Sequence, residues 1–508
     1  MKIKKFLFKS TCVALSAVML STAIPVFAKT EDNISITNPY ANIDWADINQ
    51  YKTALHTHTN ASDGDIALRA SLERHYETGF DVVAITDHGT VDYDWREFKG
   101  SPFVGKAMKL FGRSDFALDY LGESGEFSKG TKYQMIKKGS DDYLVTDDGR
   151  EILRIPYGIE NNALSVNAHV NSWFADFSRN LPSDYIDAVR GVEKAGGLSV
   201  INHPGEYSTA RYELYQEDAY NLNNPAYKYF FQKIYGMVNE YDSCLGLDIN
   251  SKGDDRTRYD RKLWDLMLTE AAKSGKTVYA IASSDAHQLN KIDTGFTYIL
   301  AKNKTSADIR AALENGEFFA ASTCLHNCDE LEQIAASIKD FYGETELYFE
   351  LSSIVAEYKA KREELSLKAK KSNVGFRYDA IDDEGYFDKA TRPAITAINV
   401  DDNENTIKIK SENALIVRWI SDGKLIATTK ASDGKIDLDD FEGQLGDYVR
   451  AEVFGEGGVI YTQSFTLNAE QKTEQKFCYV NLGFFDFIIP DINLLVQLVA
   501  RGIKGLFN

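Results

Sequence analysis

Between residues 50 and 325 short apolar runs alternate with longer amphipathic segments. The runs "KTALHTH", "DVVAITDH", "RIPYGIE", "LSVNAHV", "GGLSVINH", "CLGLDIN", "TVYAIASSDAH" and "GFTYILA" are the strand candidates. Several are nearly continuous in apolar character, as strands of a buried parallel sheet should be. Helical spacing is found in "DIALRASLERHYETG", "SDYIDAVRGVEKAG", "RKLWDLMLTEAAKSG" and "TSADIRAALENG", all four ending in glycine, a reasonable C-cap for the last two. This alternation predicts a parallel α/β fold, a barrel given about eight strands. An insert from Trp95 to Arg154 interrupts it, rich in Gly, Lys and Asp with scattered aromatics. Such segments serve as lids or binding loops, or decorate the surface.

The pattern changes near residue 340. "ALIVRWISDGKLIATTK" is two apolar strands around Asp422-Gly423, a hairpin signal, and "DYVRAEVFGEGGVIYTQSFTL" reads as another. Residues 340–470 are therefore expected to form a small antiparallel β-sandwich. "VAEYKAKREELSLKAKK" is a charged run that reads as helix or linker. The tail, 471–508, is apolar apart from a stripe of Asn493, Gln497, Arg501, Lys504 and Asn508 at helical spacing. An amphipathic helical tail of this kind docks on its own chain, self-associates, or lies in a membrane interface.

With 508 residues the chain exceeds one ordinary core, so more than one domain is expected. The net charge of −19 argues against duplex DNA as a partner, which needs a cationic footprint. "MKIKKFLFK" and the apolar "STCVALSAVMLSTAIPVF" read as a signal peptide over 1–28, with 29–49 a lead-in, so an exported, secreted protein is expected. Cys12 lies inside that peptide. Cys244, Cys324, Cys328 and Cys478 remain, and Cys324 and Cys328 are close enough to pair or to bind a metal with His326, against the plainer reading of unpaired thiols or a minor local bridge.

The histidines sharpen the picture. His56, His58, His88, His169, His203 and His287 all end strand candidates, six of the eight in the chain. Asp63, Asp87, Glu160 and Asp285 fall in the same places. That is the rim on which α/β barrels build active sites. His56 and His58, two apart in a strand, point to one face and can grip one cation. Imidazole and carboxylate suit Zn, Mn and Fe. The set His56, His58, Asp63, His88, Glu160, His169, His203, Asp285 and His287 is too large for one ion and would serve two or three. His75 sits within a helix pattern; neither it nor His326 is assigned to this site.

The motifs "LHTHTNASDG", "ITDHGT", "GIE", "INHP" and "SSDAH", in that order, resemble those of the PHP (polymerase and histidinol phosphatase) metal-dependent phosphoesterases over roughly residues 50–320. The resemblance implies a distorted seven-stranded β/α barrel with a trinuclear site. It implies that His56, His58, Glu160 and Asp285 hold one ion. Glu160 would bridge to a second, with His169 and His203, and Asp63, His88 and His287 would hold a third. Asp87 is expected to orient a ligand from behind. The long insert departs from the family pattern and puts substrate size in question. So does Asp248, where many members carry a glutamate; it is read as supporting a ligand or facing substrate. The β-domain downstream resembles one that follows some exported members.

The expected activity is hydrolysis of phosphate mono- or diesters by a metal-bridged hydroxide, on a phosphorylated small molecule or nucleotide, with Glu160, Asp285 and His287 as catalytic groups. Arg256 and Arg258 are candidates for phosphate contact, or simply part of a solvated charge run. Two other readings compete. One is a metal-dependent amidohydrolase, whose barrel also opens with His-x-His. The other is a noncatalytic exported surface or binding protein with a metal-stabilised barrel.

Overall fold

The computed structural model describes residues 34–89, 93–98, 103–110, 119–162, 169–177, 184–208, 219–251, 257–325, 327–372, 391–473, 477 and 499. The expected signal peptide, His326, Cys478, Arg256 and nearly all of the tail lie outside them.

The fold is mixed α/β. Its first part contains ten strands used below: β1 (Asn49–Ala54), β2 (Val82–Val83), β3 (Glu151–Arg154), β4 (Ile159–Asn162), β5 (His169–Trp173), β6 (Leu198–Ile201), β7 (Cys244–Asp248), β8 (Tyr279–Ile281), β9 (Gly295–Ala301) and β10 (Phe318–Ser322). β1 and β2 are parallel, and β4 to β8 form a second sheet in that order. Two parallel bridges join the sheets where their strands end, Thr57 to Ala286 and His88 to Glu160. Pairing therefore runs around β1, β2, β4, β5, β6, β7, β8 and back to β1.

The helices follow the sequence pattern, with α3 an addition to it. α1 is Leu68–Glu77 and α2 is Tyr185–Ala195; Asp184 caps α2 by accepting from the Asp187 amide at 2.9 Å. α3 (Pro225–Glu240) follows, then α4 (Asp260–Ala272) and α5 (Ser306–Asn315), which Thr305 caps. α3 carries buried Tyr227, Phe230, Phe231, Ile234 and Tyr235 at i, i+3, i+4, i+7 and i+8, an apolar stripe of helical period. At Gly246 in β7 a Cβ would stand 1.9 Å from the Tyr279 carbonyl oxygen, so only glycine lets β8 approach.

Three expectations are corrected. The sheet is not uniformly parallel: β4–β5 and β5–β6 are antiparallel. His169 therefore opens a strand instead of ending one, and reaches the same rim from the other direction. Next, the run "GFTYILA", β9, lies outside the ring, antiparallel to β1 and β10. Lastly, the insert is part of the sheet. The strands Ser124–Glu126, Lys132–Lys138 and Asp141–Thr146 lead into β3, which pairs parallel with β2. Its alternation is real but short: Tyr133 and Met135 are buried, Lys132 and Gln134 are exposed, and the pattern stops at half-buried Ile136. The insert packs on α1, where Glu73 accepts from the amides of Ser128 and Lys129 at 3.1 and 3.0 Å.

Two helices fill the stretch after β10, α6 (Cys328–Tyr342) and α7 (Glu346–Ser372), so the ambiguous charged run is helical. Strands resume at Ala394, and every pair among the described residues beyond it is antiparallel. β11 (Ile416–Ser421) and β12 (Lys424–Lys430) form the expected hairpin. Asp422 and Gly423 both take positive φ, 48° and 67°, as a two-residue turn of the I′ type requires. β13 (Tyr448–Gly455) and β14 (Gly458–Tyr461) form the second hairpin. β14 pairs with β10, so one sheet runs from β1 through β9 and β10 into the C-terminal strands.

A buried ion network ties the same parts together. Arg450 reaches both Asp265 oxygens at 2.7 and 2.8 Å and Glu452 at 2.7 Å, and Arg418 pairs with Glu452. Cys244, Cys324 and Cys328 are free thiols, so no bridge joins Cys324 and Cys328. No helix among the described residues is long and apolar enough to cross a membrane. Phe477, where the tail begins, packs edge-on against Tyr235, ring centroids 4.6 Å apart.

Candidate metal centre

The rim is built by strand ends. Beyond β1 the chain stays extended, fixed by the Thr57–Ala286 bridge and by the His58 amide donating to the Ala286 carbonyl at 3.0 Å. Period-two alternation then puts His56 and His58 on one face, both fully buried. Their Nε2 atoms are 3.1 Å apart. Glu160 Oε2 lies 3.2 Å from His56 Nε2 and 3.0 Å from His58 Nε2. Asp285 Oδ1 lies 3.1 and 3.0 Å from the same two nitrogens. Four ligands at 2.0–2.1 Å around a tetrahedral ion would stand about 3.3 Å apart. These donor atoms are spaced as the ligands of one cation.

Glu160 faces two ways. Its other oxygen, Oε1, lies 2.9 Å from His169 Nδ1 and 3.1 Å from His203 Nε2, and accepts from the Asn202 amide at 2.7 Å. Toward the mouth, Asp63 Oδ2 lies 3.5 Å from His88 Nε2 and 3.4 Å from His287 Nε2. His88 is shared, with Glu160 Oε2 also at 3.4 Å. Donor atoms within 4.8 Å of one another fall into four overlapping groups. They are His56, Glu160, His203 and Asp285; His58, Asp285 and His287; His58, Asp63 and His88; and His88, Glu160 and His169. All nine side chains singled out in the sequence thus converge. None of these groups is one that the family resemblance implies: His203 stands in place of His58 beside His56, Glu160 and Asp285, His287 groups with His58 and Asp285, Asp63 and His88 group with His58, and His88 stands in place of His203 beside Glu160 and His169.

Exposure grades across the cluster. The side chains of His56, His58, His203 and Asp285 are 0% exposed, those of Asp63 and His287 24% and 31%. Solvent reaches the centre from the Asp63–His287 side.

The electrostatics call for cations. Burial alone would lower the His56 pKa, but the charges of Glu160 and Asp285 outweigh it and raise it to about 9. His58 is raised in the same way. Burial would raise Glu160, yet the surrounding imidazoles hold it well below the ordinary carboxylate range. His169 falls to about 4, burial prevailing over Glu160, and so is neutral. Three buried or half-buried carboxylates ringed by imidazoles, with donor atoms this close, fit divalent metal ions by both donor chemistry and spacing.

Polar groups face the far side of most rings, not all within hydrogen-bonding geometry. His56 Nδ1 faces Asp248 Oδ2 at 3.8 Å, and the Ser283 hydroxyl donates to that carboxylate. Asp248 is fully buried behind His56. His203 Nδ1 faces Glu206 Oε2 at 3.5 Å, and His287 Nδ1 approaches the Asp285 carbonyl at 2.8 Å. His58 Nδ1 lies 3.4 Å from the Ser62 hydroxyl. Asp87 touches no ligand directly. It accepts from the Thr59 amide, the Thr59 hydroxyl and the Ser62 hydroxyl at 2.7, 2.6 and 2.5 Å, and so pins the turn that carries Asp63. Sequence reasoning missed Asn162, Asn202, Ser62 and Glu206. Only Glu206 left a signal, its i+3 spacing from His203. Arg258 is buried with its guanidinium 4.6 Å over the Tyr259 ring. His75 lies apart within α1.

No protein-family model matches the chain, and no curated protein matches it. Solved structures do. One is a two-domain protein containing a predicted PHP-like metal-dependent phosphoesterase from Bacteroides vulgatus, 15% identical, covering 86% of this chain and 90% of its own, TM-score 0.35. Another is a lesion-specific endonuclease from Pyrococcus furiosus, 12% identical, covering 52% and 56%, TM-score 0.27. An amidohydrolase from Chromobacterium violaceum is 13% identical, covering 46% and 87%, TM-score 0.21.

Proposed function

We propose that the protein is a metal-dependent phosphoesterase of the PHP type. The observation that carries this is the placing of Glu160, with one oxygen 3.0–3.2 Å from His58 and His56 and the other 2.9–3.1 Å from His169 and His203. A carboxylate so placed serves two ions side by side. On this reading β1, β2 and β4 to β8 form a distorted seven-stranded barrel, and the antiparallel strands after Ala394 form a sandwich. Residues 1–28 would direct export.

Two or three ions, of Mn, Zn or Fe, would be held by the nine ligands; bound there, they would polarise a phosphoryl oxygen and acidify a water. The residues themselves set the rest. Two dications against Asp63, Glu160 and Asp285 leave about one positive charge, and three leave about three, so the mouth attracts a phosphate that the acidic chain would otherwise repel. Full burial of His56, His58 and His203 keeps water from the deep half of the site. His287 lies at the solvent-facing rim and the buried Asp285 just beneath it, with His287 Nδ1 3.6 Å from Asp285 Oδ1 and 2.8 Å from the Asp285 carbonyl. That places them to pass a proton to a leaving alkoxide.

The test is a panel of aryl phosphate mono- and diesters, nucleotides, amides and lactones assayed on metal-loaded protein. Turnover of a phosphoester with none of amides supports the reading. Amide or lactone hydrolysis alone, or no turnover of any substrate by fully loaded protein, overturns it.

A further inference from the structure

We infer that Asn162 is the positioning residue that sets the ligating tautomer of His169, an inference resting on the metal-binding reading of the preceding section. β4 and β5 pair so that Asn162 stands directly opposite His169. The imidazole is strung between two partners: His169 Nε2 lies 2.9 Å from Asn162 Nδ2, and His169 Nδ1 lies 2.9 Å from Glu160 Oε1.

His169 is turned round relative to the other ligands. His56, His58, His88, His203 and His287 present Nε2 to a cluster carboxylate. His169 presents Nδ1, because it enters the rim at the start of an antiparallel strand. For Nδ1 to give its lone pair to an ion, the ring proton must sit on Nε2, and a proton there needs an acceptor. Among the described residues, the amide of Asn162 is a group in reach. As it stands, Asn162 Oδ1 is buried with no hydrogen-bond partner. A half-turn of the amide brings Oδ1 to the Nε2 proton and pairs both groups. The two orientations match two states. Without an ion, Nδ1–H donates to Glu160 and the amide nitrogen donates to Nε2. With an ion, Nε2–H donates to Asn162 Oδ1 and Nδ1 is free to ligate.

The test uses the full chain, Zn²⁺ as probe, and competition against a chromophoric chelator, with metal content read by elemental analysis. Asn162→Ala should weaken the hold on one ion per chain by about 10–100-fold, with the remaining ions unchanged. Asn162→Asp keeps an acceptor opposite Nε2 and should retain that ion as the wild type does. Wild-type affinity for every ion in Asn162→Ala, or an Asn162→Asp variant as weak as Asn162→Ala, overturns the inference while leaving the metal centre standing. A wild-type chain that binds no Zn²⁺ overturns the metal centre and the inference together.

Discussion

His56 and His58 aim their Nε2 atoms at one point from 3.1 Å apart, with Glu160 Oε2 and Asp285 Oδ1 facing the same point. Two nitrogen lone pairs and two carboxylate oxygens repel one another unless positive charge lies among them. Protons on the imidazoles relieve this in part. A divalent cation relieves it fully, at the spacing the atoms already have.

Glu160 is the pivot of the arrangement. Glu160→Gln keeps the size of the side chain but removes the charge both halves of the cluster share. The expected result is loss of at least one metal equivalent and a fall in phosphoesterase rate beyond the ~10–100-fold typical of outer-shell partners. Elemental analysis and steady-state kinetics on the same sample check this. A fully loaded, fully active variant would remove Glu160 from its bridging role.

The seam between the helices and the C-terminal strands should be sensitive to charge. Arg450 is buried and its pairing leaves Asp265 and Glu452 dependent on it. Arg450→Ala should cost roughly 3–5 kcal/mol, the scale for breaking a buried ion pair from one side. Urea denaturation gives the value; a loss under about 1 kcal/mol would show that water reaches the network.

His75 gives a pH signature independent of the metal centre. It is fully buried, and its Nδ1 lies 2.7 Å from the Ser71 carbonyl, while Nε2 has no hydrogen-bond partner. Burial lowers its pKa to about 4 from an unfolded value near 6.5. The folded chain therefore binds fewer protons than the unfolded one across that window. Its contribution is full above about pH 6.5 and is lost as pH falls toward 4, a span of roughly 3 kcal/mol. His75→Phe should flatten that part of the stability profile relative to wild type. Parallel slopes for the two proteins between pH 4 and 6.5 would contradict the assignment.

Much of the site was legible in the sequence because metal ligands here follow strand ends. Apolar runs terminating in His or Asp mark both the strand and its rim, and His-x-His is readable from period two alone. Strand direction is not written in such runs. "LSVNAHV" and "HVNSW" overlap, and an apolar pattern looks the same whether His169 ends one strand or opens the next. Asn162 was illegible for a related reason, since its role depends on a cross-strand partner set by that direction. The insert hid its strands behind lysines and aspartates: Lys132–Lys138 buries little beyond Tyr133 and Met135, and Asp141–Thr146 opens with two aspartates that are themselves buried. α3 went unseen although its stripe was legible: Tyr227, Phe230, Phe231, Ile234 and Tyr235 stand at i, i+3, i+4, i+7 and i+8, all buried.

The most direct measurement is activity against an aryl phosphate before and after chelation with EDTA, with metal content followed in parallel. The account predicts that activity falls with metal content and returns on adding Mn²⁺ or Zn²⁺. Phosphoester hydrolysis that persists in protein stripped of metal would contradict it.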